Sequence, residues 1–376
     1  MREGKRVFQM KKLVIIGAND FQNQLILKAK SLGYETHVFA WEDGAVGKYT
    51  ADYFYPVSII EKDEILEKCR EIEPDGVCSI GSDLASVTVN YVAEKLGLTC
   101  NPTCFTAMQT NKAEMRKAFL DGGVSCPRFV KTGESFDKNL ISDFRFPVIV
   151  KPTDRSGSRG IMKLETLDGI EEAVREACGY SFEKSAVVEE FIEGDEYSME
   201  TVSFGGVHHH LATTKKFTTG APHFIETGHR EPSGLSKELE EKAIREVFKA
   251  LDALNVRNSA GHSEFKVDKD GNIGIIEIGA RMGGDCIGSD LVYLSTGNDF
   301  MKMVIDIACG NEPEIKETPD NNSAEIHFLF TEEDIEEMNK FPKDKLYRVS
   351  DIDYSNLGHI TDSSTRLGYY IITDKR

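Results

Sequence analysis

Hydrophobic positions along the first hundred residues follow alternating strand and helix periods. The run "KKLVIIGAND" is a β-branched segment that ends in a glycine turn, and "LILKAKSLGYETHVFAW" continues as an amphipathic helix, closed by Gly33, and a second strand. The stretches "EILEKCREIEPDGVCSIGSD" and "SVTVNYVAEKLGLTCNP" repeat this alternation. We therefore predict a doubly wound α/β domain over residues 11–105, preceded by a disordered tail at residues 1–10. The turn at Gly17 lacks GxGxxG spacing, so a cofactor is not expected there.

The pattern changes at Thr106. The segment "TAMQTNKAEMRKAFLDGG" predicts a helix that ends in glycines, and "RFPVIVKP" predicts a short buried strand. A helix over residues 167–178 and the strands "SAVVEEFI" and "YSMETVSF" are predicted next. The segment "SGLSKELEEKAIREVFKALDAL" predicts a serine-capped helix, and "GHSEFKVDKDGNIGIIEIGAR" predicts a hairpin that turns at Asp270-Gly271. A second, α+β module therefore begins at residue 106.

Composition narrows the class of protein. At ~150 residues per domain, 376 residues indicate two or three domains of a globular α/β enzyme. A net charge of −18 repels nucleic acid and anionic membranes, so neither is an expected partner. No run approaches the ~20 apolar residues of a membrane helix, no signal peptide is recognisable, and the eight cysteines lack zinc-site spacing. We expect a cytoplasmic protein with reduced thiols.

A lysine ends one predicted buried strand. In "VIVKPTDRSGSRG", Lys151 follows an apolar run and precedes a loop in which Gly157 and Gly160 can adopt open dihedral angles. Backbone N–H groups and one ammonium would then face an anion, and a triphosphate fits this arrangement. The order of the residues excludes a P-loop, and a solvated turn is the alternative interpretation.

Two acids face each other across the predicted hairpin. Glu264 and Glu277 lie on opposite strands, where facing side chains sit ~5 Å apart, so both carboxylates could hold Mg²⁺ beside phosphate oxygens. Arg281 follows closely and suits a phosphoryl group or an acyl phosphate. Two exposed strand glutamates are the alternative. The stretch "VVEEFIEGDEYSME" between these segments predicts an adenosine-sized slot, with Glu189 at an exocyclic amine and Glu196 at the ribose.

These segments, in this order, resemble the ATP-grasp superfamily over residues 13–310. The resemblance implies a Rossmann-like domain at 11–105, a linker helix and small lid subdomain at 106–188, a catalytic subdomain at 189–312, and a C-terminal α+β segment at 313–376. It implies ATP between lid and catalytic subdomain, with Mg²⁺ as the metal and Mn²⁺ as an alternative. The implied phosphate-binding residues are Lys112, Lys151, Ser156, Gly157, Ser158 and Gly160. The implied adenine and ribose residues are Glu189, Glu190, Ile192 and Glu196, and the implied metal-binding acids are Glu264 and Glu277.

One position departs from the family pattern, which usually reads Glu-x-Asn-x-Arg. Here the sequence is Glu277-Ile-Gly279-Ala-Arg281, and a glycine cannot bind a metal through a side chain. The resemblance therefore implies that one of the usual two Mg²⁺ sites is weaker or is completed by water.

The resemblance also implies a reaction, in which an acyl phosphate forms and an amine displaces phosphate, with Lys151 and Arg281 as the catalytic cations. The segment "KKFTTGAPHFIETGHREPSG" predicts a loop at a pocket rim, with an ordinary surface loop as the alternative. It resembles the corresponding loop of the L-amino-acid ligases. This implies that His223, Glu226, His229 and Arg281 contact small-molecule carboxylate and amine substrates.

Two other functions stay open at this stage. One is a purine-pathway or bicarbonate-activating ATP-grasp enzyme, whose N-terminal domain is similar as well. The other is an ATP-binding regulator without turnover, in which Gly279 marks lost catalysis. A homodimer is expected by resemblance alone.

Overall fold

The computed structural model describes residues 10–155, 157, 159–220, 224–359 and 362–375. The predicted tail therefore lies outside the described residues, apart from Met10. Across the described part of the chain, no helix is both long and apolar enough to cross a membrane.

The N-terminal unit is a parallel sheet flanked by helices. Its strands are β1 (Lys12–Ile16), β2 (Glu35–Phe39), β3 (Tyr53–Tyr55) and β4 (Gly76–Cys78), in the order β3-β2-β1-β4. Its helices are α1 (Asp20–Ser31), α2 (Lys62–Ile72) and α3 (Asp83–Leu96). The β-branched run of β1 is buried on both faces, as a parallel sheet covered by helices requires. The predicted doubly wound fold is confirmed.

A second sheet follows two connecting helices, α4 (Thr106–Thr110) and α5 (Lys112–Asp121). Its strands are antiparallel in the order β5-β8-β6-β7: β5 (Phe129–Gly133), β6 (Val148–Pro152), β7 (Met162–Leu164) and β8 (Ser185–Glu190). Helix α6 (Ile170–Tyr180) packs on this sheet. It begins later than the predicted residue 167, because Gly169 adopts a left-handed conformation immediately before the first helical residue. Strand β8 runs through Glu190, so we propose that the lid subdomain extends to that residue.

The third sheet has eight strands and contains the predicted hairpin. In sheet order they are β13 (Ile273–Gly279), β12 (Ser259–Val267), β9 (Asp195–Phe204), β10 (Val207–Thr218), β11 (Glu226–Glu231), β14 (Ala324–Leu329), β16 (Gly368–Thr373) and β15 (Leu346–Val349). The helices α7 (Lys237–Ala253), α8 (Val292–Thr296), α9 (Phe300–Ala308) and α10 (Glu332–Lys340) complete the chain. Ser236 accepts a hydrogen bond from the Leu239 N–H at the start of α7, as the predicted serine cap requires.

Two strand assignments correct or extend the sequence-based picture. Within the segment 215–234, residues 215–218 and 226–231 are strand rather than loop, because β10 and β11 pair with each other and continue into β9 and β14. These ladders outweigh the turn propensity of its glycine, threonine and proline residues. Residues of the C-terminal segment add β14, β16 and β15 to the same sheet.

One apolar cluster joins the N-terminal unit to the large sheet. It includes Ile15 of β1, Ile26 of α1, Ala260 of β12 and Phe300 of α9, together with Met282 just after β13. Because such close-packed interiors resist deformation, side chains of the N-terminal unit hold fixed positions relative to the end of β13.

Candidate active site

One cleft between the two antiparallel sheets collects most of the predicted site residues. Its cavity of about 180 Å³ continues past Phe191 and Phe224 into an open cavity of about 820 Å³. The predicted residues that line the cleft are Lys112, Lys151, Gly157, Glu189, Glu190, Ile192, Glu196, Glu226, Glu264, Glu277 and Arg281. A cleft of this extent, with convergent charged groups, fits a ligand of nucleotide size.

The other predicted site residues do not line the cleft or cannot be placed. Gly160 packs against Tyr180, where a Cβ atom would lie 2.6 Å from the ring, so close packing accounts for this glycine. His229 is buried beside the cleft rather than in its wall. Ser156, Ser158 and His223 lie outside the described residues.

Lys112 is held at the start of helix α5. The Asn111 side chain caps this helix by accepting from the N–H groups of Ala113 and Glu114. The Lys112 ammonium donates to the Arg155 carbonyl oxygen at 2.7 Å and to Glu277 Oε1 at 2.8 Å. The first predicted lysine and one predicted metal acid are therefore neighbours.

Lys151 belongs to a buried charge cluster with Glu189 and Arg116. Lys151 Nζ lies 2.8 Å from Glu189 Oε2, and Arg116 Nε lies 2.8 Å from Glu189 Oε1. Burial would raise the pKa of Glu189, but the charges of Arg116 and Lys151 outweigh it and lower that pKa. Burial lowers the pKa of Lys151, and Glu189 counteracts this effect. The Glu189 carboxylate thus fixes the lysine, while its predicted contact with an exocyclic amine stays a prediction.

Arg116 was missed by the sequence reasoning, although a signal existed. It lies four residues after Lys112 on α5, and residues at this spacing share one face of a helix. Its side chain is fully buried, so it stabilises Glu189 and does not contact a ligand directly.

The two predicted metal acids face each other as expected. Glu264 of β12 is the register partner of Glu277 of β13, next to a bulge in the pair. Lys216 of β10 contacts the Glu264 carboxylate, and its Nζ lies 3.3 Å from Glu196 Oε1 and 3.7 Å from Glu226 Oε1. Against the effect of burial, these three acids raise the pKa of Lys216 well above its ordinary value. Lys216 was also missed, because its segment was interpreted as a loop.

The donor set fits a metal ion that arrives with phosphate groups. Mg²⁺ is commonly held by one or two carboxylates together with substrate phosphates and water. Glu264 and Glu277 supply two such carboxylates at one place. In the described part of the chain, no group of three or more His, Cys, Asp or Glu side chains is arranged to hold a metal ion. Glu264 and Glu277 therefore fit a shared metal site and not a protein cage.

His262 is a further cation in the cleft wall. It precedes Glu264 by two residues on β12, so both side chains point to the same face of the sheet. Its Nδ1 contacts the buried carboxylate of Glu200 on β9, which also accepts from the Gly283 N–H at 3.0 Å. Burial would lower the pKa of His262, but Glu200 raises it to about 9.

We use the name phosphate end for the part of the cleft formed by Lys112, Lys151, Glu264, Glu277 and Arg281. We use the name distal end for the cluster of Glu226, His229, Asp285 and Arg366.

Arg366, from the C-terminal segment, joins the acids of the distal end. It donates to Glu226 Oε2 and to Asp285 Oδ2, each at 2.9 Å, and it stacks 3.6 Å from the centre of the Phe328 ring. Asp285 Oδ2 also lies 3.7 Å from His229 Nε2. Arg366 was missed because the C-terminal segment carries no local signal of a site.

Aromatic and cationic side chains form the slot between the ends. Phe191 and Phe224 have ring centroids 6.0 Å apart, and Lys266 Nζ lies 4.2 Å from the Phe191 centroid. Flat apolar faces with nearby polar groups suit a planar heteroaromatic ring. Glu190 borders the slot and is held by Arg145 at 2.9 Å.

The chain has the arrangement of the ATP-grasp fold. A Rossmann-like unit precedes a small antiparallel lid sheet and a larger antiparallel sheet, and the two antiparallel sheets enclose a cleft of lysines and paired acids. The comparisons with known proteins agree. A family model described as the ATP-grasp domain matches residues 144–290, which include strands β6 to β13 of the two sheets around the cleft. Residues 144–290 therefore match the ATP-grasp domain, and the chain has the ATP-grasp fold.

Individual relatives are distant. The chain is 26% identical to the alanine–anticapsin ligase of Bacillus subtilis (strain 168) over 70% of its own length and 62% of that protein's length. It therefore spans about three fifths of this relative. The crystal structure of an L-amino acid ligase from Bacillus licheniformis superposes with a TM-score of 0.79 at 23% identity, covering 97% of this chain and 94% of that one. Phosphoribosylglycinamide synthetase from Anaerococcus prevotii superposes with a TM-score of 0.76 at 22% identity, covering 98% and 95%.

Proposed function

We propose that the protein is an ATP-dependent, ADP-forming carboxylate-amine ligase that works through an acyl phosphate. The observation that carries this proposal is the cleft itself, where lysines, an arginine and two facing carboxylates converge between the two antiparallel sheets. Such a set of groups suits phosphoryl transfer, which depends on positioned positive charge and does not need a protein nucleophile.

The nucleotide is proposed to bind with its phosphates at the phosphate end. Lys112 and Lys151 would hold phosphate oxygens, Gly157 lies in the covering loop, and Glu196 would accept from the ribose hydroxyls. In the structure Lys112 pairs with Glu277, and Lys216 pairs with Glu264. When ATP and a divalent cation bind, these two ion pairs would separate. The lysines would then contact phosphate oxygens, and the two glutamates would bind the metal. Charge stays balanced in this exchange, which limits its electrostatic cost.

The proposed metal is Mg²⁺, with Mn²⁺ as an alternative, and Glu264 and Glu277 would hold it. When bound, the metal neutralises phosphate charge and polarises the transferring group. Lys151 and Arg281 would add fixed positive charge on the other sides of that group.

The chain's own residues suit two displacement steps. A substrate carboxylate oxygen attacks the γ-phosphorus, the bond to the bridging oxygen breaks, and ADP leaves. The amine nitrogen then attacks the acyl carbon, the bond from that carbon to the phosphate oxygen breaks, and the amine's proton passes to the departing inorganic phosphate. Arg281, which lines the phosphate end, would meet the charge on the acyl or phosphoryl oxygen in both steps.

The proposed substrates are an amino acid as the carboxylate and a second amino acid or amine as the nucleophile. Acidic groups at the distal end favour an ammonium, with Glu226 in the cleft wall as its contact. We also propose that His229 and His223, the latter outside the described residues, contact the same substrates. The names of the alanine–anticapsin ligase and the L-amino acid ligase support this choice. A cytoplasmic homodimer is part of the proposal.

The purine-pathway or bicarbonate-activating function is the second candidate, because phosphoribosylglycinamide synthetase shares the fold along nearly the whole chain. One experiment separates the candidates. Phosphate release from ATP and Mg²⁺ is measured across single and paired amino acids, with bicarbonate and small carboxylic acids in parallel. Release that requires two amino acids, with ADP and a product of dipeptide mass, is the expected result.

Other outcomes of this experiment point elsewhere. Release with bicarbonate or another acid in the absence of an amino acid would overturn the amino-acid proposal in favour of the second candidate. Measurable ATP binding without release under any condition would favour the regulator without turnover.

A further inference from the structure

Gly279 leaves room for an ion pair between two domains. A Cβ atom at this position would lie 3.1 Å from Arg281 Cζ, 3.1 Å from Arg281 Nε and 3.1 Å from Asp83 Oδ1. Few Cβ contacts are that short, so a side chain at 279 would displace both partners of the pair by a few tenths of an ångström. Glycine at 279 therefore lets the Arg281–Asp83 pair keep its present geometry.

The pair uses one edge of the guanidinium, and a backbone carbonyl oxygen accepts from the remaining terminal nitrogen. Arg281 Nε donates to Asp83 Oδ1 at 2.8 Å, Nη2 donates to Oδ2 at 3.4 Å, and Nη1 donates to the Met282 carbonyl oxygen at 3.3 Å. Fork-shaped pairing of arginine with carboxylate fixes direction as well as distance. Arg281 also lines the cleft.

Asp83 is held firmly by its own domain. It is the first residue of α3, and the preceding Ser82 caps that helix by accepting from the Ala85 N–H at 3.2 Å. The Gly81 N–H donates to the same Met282 carbonyl oxygen at 3.3 Å. Ile80 and Met282 are fully buried in the apolar cluster that joins the two domains. The carboxylate is therefore fixed relative to the end of β13.

Charge pairing favours this partner. Lys112, Lys151 and His262 line the same cleft as Arg281, and each has an acid of its own: Glu277, Glu189 and Glu200 respectively. Asp83 is the acid that pairs with Arg281. Burial would raise the pKa of Asp83, but Arg281, with Lys112 and His262, lowers it, so the carboxylate is ionised at neutral pH.

We infer that Asp83 is a positioning residue, which holds the Arg281 guanidinium over Gly279 so that it faces the reacting phosphoryl or acyl group. This inference rests on the proposed ligase function for its catalytic consequence. The N-terminal domain would thereby take part in the reaction through Asp83. Glycine at position 279 would be explained by the space that the ion pair occupies, separately from metal binding.

The first test compares Asp83→Asn with Asp299→Asn. Asp299 is a matched control because it pairs with Lys28 at 2.8 Å, also links the N-terminal unit to another part of the chain, the start of α9, and caps α9 in a way that asparagine preserves. D83N is expected to lower kcat by about 100-fold, the scale for misplacing a catalytic group by ~1 Å. D299N should retain the wild-type kcat, and neither variant should change the Kd for ATP measured by calorimetry. A D83N enzyme with wild-type kcat would overturn the inference.

A double mutant separates positioning from general damage. If Asp83 acts through Arg281, then adding D83N to Arg281→Lys should lower kcat little further than R281K does alone. Two losses that multiply independently would contradict the inference. The count of Mn²⁺ ions bound with ATP, measured by electron paramagnetic resonance, should be the same in D83N and wild type. Loss of one ion in D83N would instead make Asp83 a metal ligand and overturn its assignment as a positioning residue.

A second readout does not depend on turnover. The Arg281 Nε–H should give a ¹⁵N–¹H resonance that is assigned by its disappearance in R281K. It should shift or broaden in D83N and in Gly279→Ala, but not in D299N. No change in D83N and G279A would sink the inference even if the ligase function holds. The resonance could shift clearly while no combination of acid and amine supports turnover. That result would support the Arg281–Asp83 ion pair and reject only the ligase proposal.

Discussion

The two ends of the cleft are built in different ways. At the phosphate end, the groups lie in recognisable local patterns: Lys151 is the last but one residue of β6, and Glu264 and Glu277 face each other in one hairpin. At the distal end, Glu226 of β11 meets Arg366 from 140 residues further along the chain. Local sequence patterns can therefore predict the site proposed for the nucleotide phosphates. The distal end, which is proposed to select the substrates, is assembled from segments that are remote in the sequence.

Lys216 marks the border between the two ends. It contacts Glu264 on one side and lies 3.7 Å from Glu226 on the other. If the comparison holds, substitutions on the phosphate side should affect nucleotide use with any substrate. Substitutions on the distal side should affect only the choice of acid or amine.

The largest loss is expected for Glu277→Gln. Removing one carboxylate of the proposed metal pair should lower kcat by at least about 10²–10³-fold, the range for losing one group that stabilises developing charge. Steady-state phosphate release measures this effect. Asp270→Asn removes the same charge at the exposed tip of the same hairpin and should have no effect. Turnover of E277Q at the wild-type rate would end the metal-site assignment.

A smaller effect, on nucleotide affinity, is expected for Lys151→Ala. Loss of one charge-assisted contact of about 1.5–3 kcal/mol should raise the Kd for ATP by about 10–100-fold. The fold should tolerate the change, because Arg116 still neutralises the buried Glu189. Calorimetric titration with ATP measures the affinity. Lys131→Ala is the control, since Lys131 is exposed on β5 of the same sheet; equal affinities of K151A and K131A would contradict the assignment.

At the distal end, Glu226→Ala should change substrate choice and leave the nucleotide alone. It removes the acceptor for Arg366 and for the Ser363 hydroxyl, which donates at 2.8 Å. The KM of one substrate should rise by about 10-fold, as expected for one hydrogen bond to a charged group, with the Kd for ATP unchanged. KM values across a panel of acids and amines measure the effect.

The control for this substitution is Glu325→Ala on the neighbouring strand β14, where Glu325 lies 3.5 Å from His327. An E226A enzyme with the substrate profile of E325A would remove Glu226 from the pocket. A parallel rise in the Kd for ATP would erase the distinction between the two ends.

The same contrast explains how far the sequence could predict the site. The register that opposes Glu264 and Glu277 follows from a hairpin whose short turn contains Asp270-Gly271, so it is local information. The Arg281–Asp83 contact joins residues 198 positions apart, and nothing near either residue indicates its partner. The role of Lys216 was missed for another reason. Turn-forming residues around it predicted a loop, whereas pairing with the neighbouring strands makes Lys216 part of β10.

Substitution of Glu231 is expected to have the smallest effect on turnover, and its main effect should be on the pH dependence of stability. It lies on β11 with Glu226 but is fully buried, and its carboxylate accepts from Thr214 Oγ1 at 2.7 Å and Ser295 Oγ at 2.6 Å. Burial raises its pKa from 4.5 to about 7. Between these two values the folded state binds more protons than the unfolded state, so stability falls as pH rises through this window.

Glu231→Gln should remove that loss. Relative to wild type, the variant should gain up to about 3 kcal/mol in the free energy of unfolding between pH 4.5 and pH 8, since one pKa unit corresponds to about 1.4 kcal/mol. Thermal melting across this range measures the difference, and comparison at several pH values cancels any constant effect of the amide. Glu312→Gln, at an exposed position, should follow the wild-type profile. Parallel profiles for E231Q and wild type would contradict the prediction. A change in substrate KM would place Glu231 in the distal end, whereas its burial assigns it to the support behind that end.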